Sequence, residues 1–286
     1  MDENTKFLIV GLGLIGGSYA KTLKKQGFKV AAITKNQEDI DYAVKHNIID
    51  FGTTLIDEKL IKNADIIVFA LYPHIFVNWI KENGHLINKN TIITDVTGIK
   101  TPIVKKIQNM LPGGVEFIAA HPMAGKETCG VKYSSSSIFK NANYIVVPTE
   151  KNTEKAINIC KDLGSVLGFK DISVLSPEAH DEMIAFLSQL THCIAISLMC
   201  ANDNPALVRY TGDSFRDLTR IANINDEMWS ELFIENKTAL LREMDAFKIA
   251  FDRLYSTVRD SNREEMRRLM RISTKRRKNF NVKKEC

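Results

Sequence analysis

Residues 7–16 read Phe-Leu-Ile-Val-Gly-Leu-Gly-Leu-Ile-Gly, a short apolar run that enters a glycine fingerprint directly, with a helix-forming stretch behind it. G-x-G-x-x-G between a strand and a helix admits few folds. Gly11 permits a tight turn, Gly13 lets the backbone approach a pyrophosphate, and Gly16 allows close packing of helix on strand. The helix N-terminus that follows favours an anion. Gly11, Leu12, Gly13, Leu14, Ile15 and Gly16 are therefore the candidate cofactor-binding loop. The rest of the first half agrees. Apolar runs at 7–10, 30–33, 65–71, 91–94, 116–119, 144–147 and 172–174 are separated by helix-length segments. Unbroken runs of this kind predict strands buried on both faces in a doubly wound, Rossmann-like α/β sheet.

The pattern changes at Ser176-Pro177-Glu178, a helix start with a Ser cap, a Pro in the first turn and an acid at the positive dipole end. Beyond it no convincing strand follows. One helix is expected over 177–201 and a long one over 237–261. In the long helix Leu240, Met244, Phe247, Phe251, Leu254 and Val258 alternate spacings of four and three. Such a stripe is either the core of a helical domain or a subunit seam. The reading is two domains: 1–175, dinucleotide-binding, and 176–286, all-α, for substrate and dimerisation, ending in a basic tail. No further domain is expected after the long helix.

Composition narrows the class. At 44% hydrophobic and 26% charged residues the chain is neither disordered nor fibrous. No unbroken apolar run approaches the roughly 18 residues of a membrane helix, and the N-terminus lacks a signal pattern. Five cysteines without a C-x-x-C pair make no disulfide framework, so a cytoplasmic location is expected. Cys193 and Cys200 share a helix face and read as buried small hydrophobes. The net charge of +5 is local: nine Lys/Arg and one acid fall within 267–286, leaving 30 basic and 33 acidic residues elsewhere. Without aromatic interleaving or a DNA-binding motif, that stretch reads as a solvated tail, and neither nucleic acid nor membrane is an expected partner. No metal-ligand cluster has suitable spacing.

The end of the second strand bears on which dinucleotide binds. An acid there commonly holds the NAD ribose; here the strand runs into Thr34-Lys35-Asn36. Lys35 can pair with a 2′-phosphate and Thr34 can donate to it, which favours NADP over NAD. Tyr72, at the carboxyl end of the third strand, is placed to line the nicotinamide side. His121 follows the 116–120 strand in a small-residue loop, where a neutral imidazole can accept a hydroxyl proton as hydride leaves the same carbon. His46, His74, His85 and His180 have no assignable role.

Four segments occur in order: Gly11-Leu12-Gly13-Leu14-Ile15-Gly16-Gly17-Ser18, Asp95-Val96-Thr97-Gly98-Ile99-Lys100, His121-Pro122-Met123-Ala124-Gly125 and Leu218-Thr219-Arg220-Ile221-Ala222. Together they resemble the prephenate/arogenate dehydrogenase family of tyrosine biosynthesis, over essentially the whole chain. The resemblance implies that His121 is the catalytic base and that Arg220 binds a substrate carboxylate. It implies substrate contacts from Ser188 and His192, although Thr191 stands where the family has proline. It further implies that Trp229 approaches the substrate from the partner subunit, and that Lys126 and Glu127 lie at the pocket mouth, the glutamate as an ionic gate. Many members have serine at the position of Gly98; Thr97, one residue earlier, or a water is the expected source of a hydroxyl. The implied protein is a homodimer that oxidatively decarboxylates prephenate to 4-hydroxyphenylpyruvate. The alternatives are an arogenate dehydrogenase giving tyrosine directly, and a non-catalytic NADP(H)-binding redox sensor. A β-hydroxyacid dehydrogenase shares the layout but needs a lysine in the segment opening the helical domain, and 186–192 has none.

Overall fold

A computed structural model describes residues 1–126 and 128–280. Strands β1 (Lys6–Val10), β2 (Lys29–Ile33), β3 (Phe51–Thr53), β4 (Ile66–Phe69), β5 (Ile92–Asp95) and β6 (Glu116–Phe117) form a parallel sheet in the order β3-β2-β1-β4-β5-β6. The crossovers are helices α1 (Leu14–Lys25), α2 (Gln37–Lys45), α3 (Glu58–Lys62), α4 (Pro73–Asn83) and α5 (Thr101–Met110). Successive side chains of a strand point to opposite faces. Phe7 and Ile9 accordingly enter one core with Tyr19 and Leu23 of α1, while Leu8 and Val10 enter the other with Phe76, Trp79 and Ile103. The sheet's order reverses between β1 and β4, and ligands of such sheets sit at the carboxyl ends of the strands there.

The expected strand over 116–119 is two strands. The chain leaves the parallel sheet after β6 and continues as β7 (Ala119–Pro122), which pairs antiparallel with β8 (Asn143–Val147). That strand pairs parallel with β9 (Asp171–Val174), so the last expected strands form a second, three-stranded sheet. Helix α6 (Glu154–Leu167) joins them. His121 therefore lies inside β7, opposite Ile145, and not in a loop after a strand.

A buried ion pair marks the point of departure. Asp95, the last residue of β5, accepts from the Ala120 amide at 3.1 Å. Its other oxygen accepts from Lys100 Nζ at 2.7 Å, from the Thr97 amide at 3.0 Å and from the Thr97 hydroxyl. Lys100 Nζ also donates to the Ala120 carbonyl at 2.6 Å. Both side chains are fully buried. Side chains thus take both polar groups of Ala120, where a further ladder rung would otherwise pair backbone with backbone.

After Ser176, whose hydroxyl accepts from the Ala179 amide, the chain is helical: α7 (Pro177–Ile184), a π-helical turn at Ala185–Leu190, α8 (Thr191–Cys200), α9 (Asp213–Thr219), α10 (Asp226–Glu235), α11 (Lys237–Arg259) and α12 (Arg263–Lys278). The span Pro177–Cys200 is long and apolar enough by length and composition to cross a membrane, with a window of mean hydropathy 1.7. It escaped the sequence reading because polar residues interrupt every apolar run. Of the polar residues in the span, His180, Asp181 and Gln189 are buried and hydrogen-bonded, whereas the apolar Phe186, Leu187, Leu198 and Met199 are exposed. Cys193 is half-buried and Cys200 exposed, against the expectation of two buried thiols.

By compactness the chain divides into Met1–Asn236 and Lys237–Cys286. The α/β pattern ends at 175, but α7–α10 belong to the first compact unit. In the second, Arg253 and Arg268 both bond Glu265, tying α11 to α12. Of the stripe on α11, Phe247, Phe251, Leu254 and Val258 are exposed. Residues 281–286 of the basic tail lie outside the described residues.

Replacing Lys100 by Met keeps the volume but leaves Asp95 as a buried charge without its counter-ion. Breaking such a pair costs about 3–5 kcal/mol. A urea melt of Lys100→Met should show that loss; a loss under about 1 kcal/mol, the worth of an ordinary surface pair, would mean that the pair does not hold β7.

Candidate active site

The glycine loop has the geometry its spacing predicts. Gly11 sits at φ +96°, in the left-handed region that glycine enters without strain. A Cβ on Gly16 would be driven into the Gly11 carbonyl, so helix and turn meet at backbone distance. In front of Gly13, by contrast, a Cβ would meet nothing within 4 Å. Gly13 is the N-cap of α1, gives no side-chain cap, and no acid occupies the first turn. The first amides of α1 are thus left for an anion, and the cradle fits a dinucleotide pyrophosphate. Of the other loop residues, Leu12 is buried in the core and Ile15 packs against it. The Leu12 amide donates to the Thr34 hydroxyl at 3.4 Å, which brings the end of β2 to the loop, and Lys35 beside it is exposed.

Tyr72 is the N-cap of α4, across the switch point from the glycine loop. Its hydroxyl accepts from Asn225 Nδ2 at 3.1 Å, and Asn225 is the N-cap of α10. Two residues on, His74 at the start of α4 binds Glu231 of α10 through its amide at 2.7 Å and its ring at 2.8 Å. These contacts fasten the expected nicotinamide side to the helix that carries Trp229.

His121 is partly buried, and the peptide before it is the one clasped by Asp95 and Lys100. Its Nδ1 lies 2.8 Å from Nε2 of His180, and Nδ1 of His180 lies 2.7 Å from Oδ1 of Asp181. Asp181 also accepts from the Lys100 and Thr101 amides, at 2.8 Å each, and so caps the start of α5. Burial alone would raise its carboxyl, but the bonds from His180 and Thr101 hold it below the usual carboxylate range. Burial, His180 and the Lys100 ammonium in turn hold His121 well below the ordinary histidine value. His121 is therefore a neutral base at neutral pH.

Thr97, the expected source of a hydroxyl, does not serve His121. Its hydroxyl is committed to Asp95 and to the Ile99 carbonyl, and it accepts from Lys100. No side chain fills the Gly98 position, where a Cβ would rest 3.4 Å from Leu232. The group that meets the base is His180, which sequence reasoning left without a role. The available signal was the dipeptide His180-Asp181, two ionisable neighbours near the start of a helical span that is largely apolar after Glu182.

Among the residues expected to contact substrate, His192 of α8 and Trp229 of α10 stack at 3.7 Å, within one chain. Trp229, expected to approach the substrate from a partner subunit, packs its ring on His192 within the chain. The His192 ring donates from Nδ1 to the Ser188 carbonyl at 2.8 Å. The backbone of Ser188 thus orients this histidine, and Thr191 in place of proline donates to the same carbonyl at 2.6 Å. Arg220 opens a short 3-10 turn, Arg220–Ala222, that packs on α8. Lys126 is exposed, and Glu127 lies outside the described residues.

Comparison with known proteins agrees with this layout. The family model for the nucleotide-binding domain of prephenate dehydrogenase matches residues 19–171, and the model for its dimerization domain matches 176–272. A prephenate dehydrogenase of Bacillus subtilis is 30% identical over 276 residues, 93% of this chain and 73% of that protein. The crystal structure of prephenate dehydrogenase from A. aeolicus, in complex with hydroxyphenyl propionate and NAD+, superposes with a TM-score of 0.88 at 29% identity and covers 97% of this chain and 98% of that one. Synechocystis arogenate dehydrogenase superposes at 0.82 with 25% identity, over 96% of this chain and 100% of that one. A 3-hydroxyisobutyrate dehydrogenase of Mycobacterium tuberculosis, 13% identical with a TM-score of 0.53, shares the fold alone. With both of its domains matched and a relative of this similarity along most of its length, the chain belongs to the prephenate/arogenate dehydrogenase family of oxidoreductases.

Proposed function

We propose that the chain catalyses oxidative decarboxylation of prephenate to 4-hydroxyphenylpyruvate. The observation that carries this reading is the neutral, partly buried His121 on β7, held by a buried polar network. When bound, a nicotinamide cofactor supplies the hydride acceptor. His121 accepts the proton of the ring C4 hydroxyl, which becomes a carbonyl as the C4 hydride departs. The ring carboxylate then leaves as carbon dioxide, its bonding electrons complete an aromatic ring, and His121 returns the proton to the phenolate oxygen. Carbon, charge and protons balance with no further base. Arg220 is the proposed partner of a substrate carboxylate, with His192, Ser188 and Trp229 as the adjoining wall and Lys126 at the mouth.

Arogenate differs from prephenate by an amino group in place of the side-chain keto group, remote from C4, so the same residues would perform the same steps on it. The similarity to the Synechocystis enzyme supports this second reading. We assign 1–175 to cofactor binding and 176–286 to substrate and dimerisation, and the exposed stripe on α11 supports a homodimer. A cytoplasmic location accords with free cysteines.

Incubating the purified chain with prephenate or arogenate and with NAD or NADP, while following nicotinamide absorbance, tests the activity. Turnover of prephenate is expected, and His121→Asn should lower it by roughly 10²- to 10⁴-fold, the contribution of a positioned general base. Absence of turnover with both substrates and both cofactors would overturn the assignment.

Thr34 and Lys35 favour NADP. Because Lys35 is exposed, its pairing with a 2′-phosphate is worth only about 1 kcal/mol, or about fivefold. Lys35→Ala should shift the ratio of specificity constants toward NAD by that factor. A wild-type preference for NAD, with a ratio unmoved by the substitution, would contradict the NADP assignment and leave the dehydrogenase intact.

A further inference from the structure

We propose that His180 is a positioning residue for the base: with Asp181 it locks His121 in the Nδ1–H tautomer, so that Nε2 is the atom presented to the substrate hydroxyl. The proposal rests on the dehydrogenase reading for its catalytic consequence and, for the tautomer, on hydrogen-bond geometry with the buried His180 ring neutral.

The direction of the chain follows from what each atom can do. Asp181 accepts three hydrogen bonds, from the Lys100 amide, the Thr101 amide and the His180 ring. A carboxylate can only accept. Nδ1 of His180 therefore carries a proton, which leaves Nε2 of the neutral ring as an acceptor. The 2.8 Å contact with Nδ1 of His121 then requires the proton on His121. Nε2 of His121 is left as the lone pair. In a free histidine either nitrogen can bear the proton, and the wrong tautomer removes the base from the reaction.

The arrangement also prepares for the charge that forms. The groups facing His121 and His180 are Asp181 on α7, Asp95 on β5 and Lys100 before α5. With both rings neutral, two carboxylates and one ammonium leave the cluster one negative charge in excess. When Nε2 of His121 takes the substrate proton, the bond to His180 becomes charge-assisted and the cluster becomes neutral. His180 is fully buried, so water cannot substitute for it.

His180→Gln tests the role. The glutamine can still offer an amide oxygen to His121, but the chain no longer reaches Asp181. The proposal expects kcat to fall by about 10- to 100-fold, the usual cost of losing an orienting partner, while KM for prephenate and for the cofactor stays within about threefold, because His180 touches neither. An unchanged kcat, or a fall shared equally with weakened binding, would reduce His180 to packing. The second measurement reads the wild type and needs no activity. In the wild type labelled with ¹⁵N-histidine at neutral pH, two-bond ¹⁵N–¹H correlations should show His121 and His180 both protonated at Nδ1, with the signals assigned by their loss in His121→Asn and His180→Gln. A His121 protonated at Nε2 would overturn the proposal whether or not the chain turns over prephenate.

Discussion

Asp95 and Lys100 together grip both backbone polar groups of one residue, the amide and the carbonyl of Ala120, and the next residue is His121. That pair lies at the end of β5, where a parallel sheet exposes the carboxyl ends of its strands to ligands. Its placement has two effects. It turns the chain from the parallel sheet into β7, and it fixes the backbone of the base to the same strand end that faces the cofactor cradle. Because both side chains are buried, the grip is made at low dielectric, where it is strong while complete and costly when broken.

The second support comes from the helical half. Asp181 caps α5 and, through His180, reaches the ring that Asp95 and Lys100 position from below. Asn236 closes the network, donating from Nδ2 to the Asp181 carbonyl at 2.9 Å and to Gln189 at 2.8 Å. Gln189 lies in the π-helical turn, and its amide donates to the Leu232 carbonyl of α10. The π turn, an uncommon element that often marks functional sites, thus stands between the helix holding His180 and the helix holding His192. Through Asn225 and Glu231, α10 is also tied to Tyr72 and His74 on the cofactor side. The proposed cofactor side, base and substrate wall are thus connected by side-chain hydrogen bonds rather than by loops alone.

Much of this was legible in the residues. The glycine spacing, the apolar runs and the Ser-Pro helix start led to the fold class, and the His-Pro-Met-Ala-Gly segment led to His121. What escaped was pairing. An apolar run says that a strand is buried but not which neighbour it takes, so the break between β6 and β7 was invisible. The substitution of Gly98 suggested that the adjacent Thr97 would supply a hydroxyl, yet Asp95 lies two residues before it and captures that hydroxyl first. His180 looked like one more histidine because its meaning depends on a partner 59 positions away. The membrane-like average of Pro177–Cys200 was hidden by polar residues, Ser188, Gln189, Thr191 and His192 among them, that interrupt its apolar runs.

The central claim is that His121 works as a neutral base because burial and the Lys100 ammonium keep it from charging. A base whose pKa is lowered stays active to lower pH than a free histidine would. The dependence of kcat/KM on pH, which reports the essential groups of the free enzyme, is the direct measurement. The rate should remain level as pH falls through about 6.5, the ordinary histidine value, with its acid limb entirely below that point. An acid limb centred at or above about 6.5 would mean that the network does not hold the base neutral, and would contradict the account.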